Sequence, residues 1–255
     1  MKHTIPELFE NEEFLKSEIK VKWNEESTVY FLFKVKNNKL IENLHKINHK
    51  AIMGLTAALS EWIFWRINEV YPAEETLITT DAIWLGLIDK RYIVNSRFGG
   101  DSGDDIYDNI LWIVYNCLEQ VRFHYTSGSY RIVYRVINLA MLTRYITPNK
   151  AIFDSWLSDC LNRLTTSFPI QYDSNDVLNH PENYPAFYDS SHEPPIPREF
   201  FFETDFDYAT ENIDELLTRF MNTVDHSNPA CFKTEQVMIA EGFKGRPYIY
   251  PQETV

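Results

Sequence analysis

Carboxylates are the groups in this chain most able to do chemistry by number and spacing. Twelve of them crowd into residues 172–215: Asp173, Asp176, Glu182, Asp189, Glu193, Glu199, Glu203, Asp205, Asp207, Glu211, Asp214 and Glu215. One base, Arg198, stands against them, so the segment carries −11 of the formal −13 of the 255-residue chain. The same stretch holds five prolines and nine aromatic residues, with Phe200, Phe201 and Phe202 consecutive. Disordered acidic tails have few aromatics, because they lack the apolar surface that offsets ordering entropy. Here rings can pin the backbone to a core while prolines restrict it, leaving carboxylates displayed in a fixed arrangement. Such a surface suits a basic protein partner and repels the phosphates of nucleic acid. The expected contact residues are Asp173, Asp176, Glu182, Asp189, Glu193, Glu199, Phe200, Phe201, Phe202, Glu203, Asp205 and Asp207. Glu203, Asp205 and Asp207 beside the three phenylalanines form the centre of that expectation, with the rings as anchors. A plain solvated face is the competing reading.

Other candidate chemistry is weaker. His45 and His49 have the four-residue spacing of helical metal ligands, but no third ligand lies nearby in sequence, and a solvated pair is expected. Asp101, Asp104, Asp105 and Asp108 in GGDSGDDIYDN lack the alternating oxygens and distant glutamate of a calcium loop. Capping and the helix macrodipole account for them. Glu61, Arg66, Asp81 and Asp89 sit in apolar surroundings, where perturbed carboxylates can be catalytic. Ion pairs with Arg131, Arg135 and Arg144 are the expected use of these charges. A helical hydrolase acting through the buried carboxylates is therefore the alternative function, and an acidic scaffold a third. The chain has no phosphate-binding glycine loop, no GxSxG, no HExxH and no CxxC. No catalytic residue, metal or cofactor is expected.

The elements that must position these groups read as helices. Leu40, Leu44, Ile47, Ala51, Leu55, Ala58, Trp62 and Trp65 advance by threes and fours, which predicts one helix ending before Pro72. Thr79 or Thr80, Ser102 with Asp105, Ser129, and Thr147 with Pro148 mark the starts of four more. Val29, Phe31, Phe33 and Val35 alternate like a strand, but without a partner strand they are read as helix. Trp62, Trp84, Trp112 and Trp156 each fall on an apolar stripe and are expected to be buried. The predicted fold is all-α, one domain over 1–255, with an irregular acidic, aromatic loop over 168–208 before the last two helices. Cys117, Cys160 and Cys231 fit no zinc spacing and read as free thiols in a reducing compartment. The polar N-terminus lacks a signal-peptide core, and the apolar run 57–67 is broken by Glu61 and Arg66. A cytoplasmic location is expected, without membrane contact.

The run TEQVMIAEGFKGRPY, residues 234–248, resembles the closing motif of all-helical immunity proteins of bacterial polymorphic and type VI secretion toxins. In that group a short helix ends in glycine-phenylalanine, followed by a glycine, a small residue, proline and tyrosine. Gly242, Phe243, Gly245, Pro247 and Tyr248 match, and Arg246 departs. The segment AALSEWIFWR, with Glu61, Trp62 and Arg66, is similar to a tryptophan-bearing helix of the same group. The resemblance implies a helical protein that binds and neutralises a cognate toxin domain. A basic toxin would meet the acidic surface, which would cover its active site; a homodimer is left open.

Overall fold

The computed structural model describes residues 5–10, 12–72, 74–94, 103–129, 131–170 and 193–250. Among these the fold is all-α, with isolated bridges at Ile47–Pro169 and Lys244–Ile249 in place of any strand. The helices are α1 (Glu12–Lys16), α2 (Glu25–Val29), α3 (Asn38–Leu44), α4 (His49–Ile67), α5 (Glu74–Ile88), α6 (Ile106–Thr126) and α7 (Ile132–Ile146). They are followed by α8 (Lys150–Ser167), α9 (Glu199–Phe202), α10 (Ile213–Met221) and α11 (Glu235–Ala240). None of them is long and apolar enough to cross a membrane.

Helix α4 is the axis of the molecule. All 19 of its residues are buried, over about 28 Å at 1.5 Å per residue. A helix enclosed on every side must be apolar all round, and α4 packs against α1, α5, α6, α7 and α9. Its polar side chains are satisfied locally: the Thr56 hydroxyl donates to Ile52 O at 3.0 Å, and Ser60 shares a 2.8 Å hydrogen bond with Thr80 of α5. Trp62 sits among Phe9, Phe14, Phe153 and Trp156, and its indole N–H donates to the Thr147 hydroxyl at 2.9 Å. Trp84 and Trp156 are buried as expected, whereas Trp112 is only half-buried.

Several boundaries differ from the sequence reading. The long helix is two: α3 ends at Leu44, and Asn48 caps α4 by accepting from Ala51 N at 2.8 Å. The chain leaving α8 fills the break, since Asn48 N donates to Phe168 O and Ile170 N to Lys46 O, both at 2.9 Å. Gly54 does not interrupt α4. Thr79 and Thr80 lie inside α5, not at its start, with their hydroxyls turned onto the carbonyls of Glu75 and Thr76. Asp105 caps α6 by accepting from Tyr107 N, and Ser102 lies outside the described residues. Helix α7 begins at Ile132, three residues past Ser129, and α8 is capped by Asn149, not Thr147. Residues 29–35 are helical: α2 widens into a π turn over Tyr30–Lys34. Of the predicted 168–208 loop, 171–192 lies outside the described residues, and α9 breaks the remainder.

The chain closes on a second, smaller core. Met221, Val224, Cys231, Phe232, Met238, Phe243 and Tyr248 pack against Ala82 and Leu85 of α5 and against Tyr92. Helix α11 ends as its sequence predicts. Gly242 takes φ +97°, its N–H donates to Ile239 O at 3.0 Å, and Phe243 N–H reaches back to Met238 O at 3.0 Å. That paired closure needs a residue free to turn left-handed, and it buries Phe243 against Met238.

Candidate functional site

Arg198, the single base of the acidic segment, points inward. Its Nε donates to both oxygens of Glu61 at 2.9 Å, and its Nη2 makes a further close contact with Oε1. The Glu61 carboxylate also accepts the indole N–H groups of Trp65 at 3.0 Å and Trp84 at 3.3 Å. Both partners are shielded, the Glu61 side chain 1% and the Arg198 side chain 15% exposed. Burial pulls the Arg198 guanidinium down, but the Glu61 carboxylate outweighs it and holds the group above its ordinary range. The expected partners Arg131, Arg135 and Arg144 are not those of Glu61. Arg135 donates to Leu32 O, and Arg144 grips Asp154 at 2.7 and 2.9 Å. Arg66 is held by the carbonyls of Ile146, Ser17 and Glu18, and Asp89 pairs with Arg91 and caps the turn at Lys90–Tyr92.

Next to this pair the three consecutive phenylalanines turn into the core. Phe200, Phe201 and Phe202 are 1%, 0% and 9% exposed, and so offer no free face to a partner. Their expected role as interface anchors is therefore corrected: four residues of α9 cannot carry three rings on the solvent side without exposing several hundred Å² of apolar surface. Instead Phe200 packs edge-on against Phe168, and Phe202 against Phe9. Phe201 faces Trp84 and lies over Gly54, where a Cβ would come within 2.6 Å of its ring. The backbone is tied as firmly: Trp156 Nε1 donates to Phe201 O at 2.8 Å, and Arg163 to Glu203 O at 3.1 Å.

The carboxylates divide into two groups around this anchor. Glu193 serves the fold, accepting Lys50 N at 2.9 Å in the first turn of α4 while its carbonyl takes the Lys50 ammonium at 2.5 Å. Burial draws that ammonium down to about 8 against the pull of Glu193. Glu199 is also mostly enclosed and pairs with Arg219 at 2.6 Å. Glu203, Asp205 and Asp207 are exposed, as are Glu211, Asp214 and Glu215 just beyond. Asp173, Asp176, Glu182 and Asp189 lie outside the described residues.

The other candidates resolve into structural roles. His49 is fully buried and has its pKa lowered to about 3 by burial, against a hydrogen bond to the Ser129 backbone that favours the protonated ring. His45 belongs to the turn after α3, so the two histidines share no helix face and are not a solvated pair. Asp108 receives the Tyr71 hydroxyl at 2.5 Å, and Asp101 lies outside the described residues. All three cysteines are buried free thiols. Among the described residues no three His, Cys, Asp or Glu side chains gather as they would around a metal ion. No family model, no curated protein and no solved structure matches this chain.

Proposed function

We propose that this chain is a cytoplasmic immunity protein that binds a cognate, basic bacterial toxin domain and blocks it without catalysis. The observation that carries the reading is the exposed strip Glu203, Asp205, Asp207, Glu211, Asp214 and Glu215, mounted on a backbone whose neighbouring rings and single arginine are locked inside. A fixed array of one sign steers an oppositely charged partner and speeds encounter. An anion-binding cleft on a toxin that attacks nucleic acid or nucleotides is the natural seat for such an array. The resemblance of TEQVMIAEGFKGRPY to the closing motif of immunity proteins supplies the class. The matched Gly242, Phe243 and Tyr248 build the second core, so they support the fold and not the contact. The hydrolase alternative depends on a free buried carboxylate, and Glu61 is already held by Arg198, Trp65 and Trp84.

The test is rescue of cells that express a candidate basic toxin domain, at graded ratios of the two proteins. A stoichiometric inhibitor protects only when it matches the toxin in amount, and the triple variant Glu203→Gln, Asp205→Asn, Asp207→Asn should bind with slower association and a flatter salt dependence. Protection at a small fraction of the toxin's amount would favour an enzyme. Association unchanged in the triple variant would remove the strip from the interface.

A further inference from the structure

A cavity of about 500 Å³ lies where the π turn Tyr30–Lys34 meets the end of α7 and the start of α8, and no residue of the exposed acidic strip lines it. Its chemistry is the reverse of the strip's. Among the described side chains, Lys34, Arg144 and Lys150 line it against one acid, Glu26, together with the rings of Tyr30, Phe31 and Tyr145. Arg144 is partly neutralised by Asp154, but Lys34 and Lys150 are exposed and form no ion pair among the described residues. The surrounding sequence is basic too: residues 16–50 hold eight lysines against four glutamates in a chain of net charge −13.

The cavity wall is also built to hold its shape. Phe31 is backed by Trp23, stacked at 5.6 Å, and flanked by Tyr145 at 5.2 Å. The π turn is real by its bonding, since Val35 N donates to Tyr30 O five residues back at 3.1 Å. Its Leu32 carbonyl is gripped from α7 by Arg135 at 3.2 Å and Asn138 at 2.9 Å. A π turn costs helix stability and concentrates at functional sites. Here it sets Tyr30, Phe31 and Lys34 along one cavity.

We infer that this cavity binds a nucleoside phosphate. The base lies against the aromatic wall, where Tyr30 is 44% exposed and offers a stacking face, and the phosphates take Lys34 and Lys150. A volume near 500 Å³ is in the range of small-ligand pockets. Aromatic stacking and lysine–phosphate pairing are the two terms such a ligand needs. At physiological salt, charges more than about 8 Å away are screened, so the local lysines and not the net charge decide the sign felt by the ligand.

Titration calorimetry of the whole chain with ADP, GDP, CDP and UDP tests this, with pyrophosphate and the four nucleosides as separate arms. At least one diphosphate should bind with Kd of about 1 mM or tighter. Pyrophosphate and the matching nucleoside should each be weaker. Lys34→Ala, Lys150→Ala and Tyr30→Ala should each weaken binding about tenfold, the loss expected for one charged hydrogen bond or one stacked base. All three sites are on the surface, so circular dichroism should show each variant folded. No diphosphate binding at millimolar concentration would overturn the inference. Pyrophosphate binding as tightly as the best diphosphate, or a Lys34→Ala/Lys150→Ala double variant of full affinity, would overturn it as well. None of these arms needs a toxin, so they fail or succeed independently of the function proposed above.

Discussion

Replacing Arg198 by Met should destabilise the protein far more than removing an ordinary surface arginine. The variant keeps a stem of similar length but leaves the Glu61 carboxylate, 1% exposed, without its cation. Breaking a buried pair from one side typically costs about 3–5 kcal/mol, because the remaining charge is desolvated without compensation. Trp65 and Trp84 still donate to Glu61, which places the expectation near the lower end, about 3 kcal/mol. The reciprocal change Glu61→Gln keeps a hydrogen-bonding shape but removes the nearest anion from the guanidinium, which at 15% exposure can draw on some solvent and still feels Glu199 and Asp81. It should cost less, about 2 kcal/mol. The double variant Glu61→Leu/Arg198→Met removes both charges, and replacing a whole buried pair by apolar groups is often close to neutral. Urea unfolding followed by circular dichroism, on the parent, the singles Glu61→Leu and Arg198→Met and their double, closes the cycle. A double variant whose loss equals the sum of its singles would show that the two groups do not act as a pair. An Arg198→Met cost below about 1 kcal/mol would place the group effectively in water and refute the anchoring role.

Three further outcomes follow from particular contacts. Gly54→Ala would put a Cβ within 2.6 Å of the Phe201 ring, so thermal melting should show a loss of about 1–3 kcal/mol from overpacking, relieved in Gly54→Ala/Phe201→Leu. Because burial lowers His49 to about 3, the unfolded chain, at the ordinary histidine value of 6.5, takes up the proton first. Stability should be complete above pH 6.5 and fall on acidification, by about 2 kcal/mol at pH 5, and denaturant titrations of His49→Gln should show a shallower slope. His45 and His124, lowered by burial as well, act in the same direction, so the slope should shrink without vanishing. Finally, the exposed carboxylates repel one another, so raising salt from about 0.01 to 0.15 M should raise the melting temperature of the parent more than that of Glu203→Gln/Asp205→Asn/Asp207→Asn. An equal response in both would mean the strip is not under charge strain.

How much of this was legible in the sequence depends on which signal each feature left. Apolar spacing located α4, and Gly242 located the end of α11, because burial periodicity and a left-handed cap each leave a direct trace in residue type. Apolar spacing hid the break at 45–48, since the same stripe runs through both helices; the signals were Asn37 and Asn48, short amides whose side chains cap α3 and α4. Asn149 is the same signal at α8. The alternation at 29–35 imitated a strand because a π turn shifts the facing of successive residues away from the usual helical period. The site was harder. Three phenylalanines among acids resemble an interface when only composition is weighed, yet the ring opposite Gly54 shows why they go inward: a central helix with a glycine there needs a large side chain to fill the gap. No local pattern could reveal that Glu61 and Arg198, 137 residues apart, share a bond. The one hint was that a lone base amid twelve acids had no need to be there unless something inside required it.

That division between inside and outside gives the acidic segment its experimental value. The groups that hold it, Arg198 and Phe200 to Phe202, are enclosed by the fold, and the groups that could meet a partner are not. Substitutions in the first set should change stability, and substitutions in the second should change association with little effect on folding. The two sets touch at Glu203. Burial and the neighbouring Glu199 push its carboxyl above the usual range, although Arg219 and Arg198 pull the other way. A cation delivered there by a partner would stabilise the ionised form and relieve the repulsion from Glu199. Binding of a basic surface at this point would therefore release a proton from Glu203 near its own pKa. Binding should accordingly tighten as pH rises through that range, whereas ordinary solvated carboxylates would show the same dependence only at lower pH.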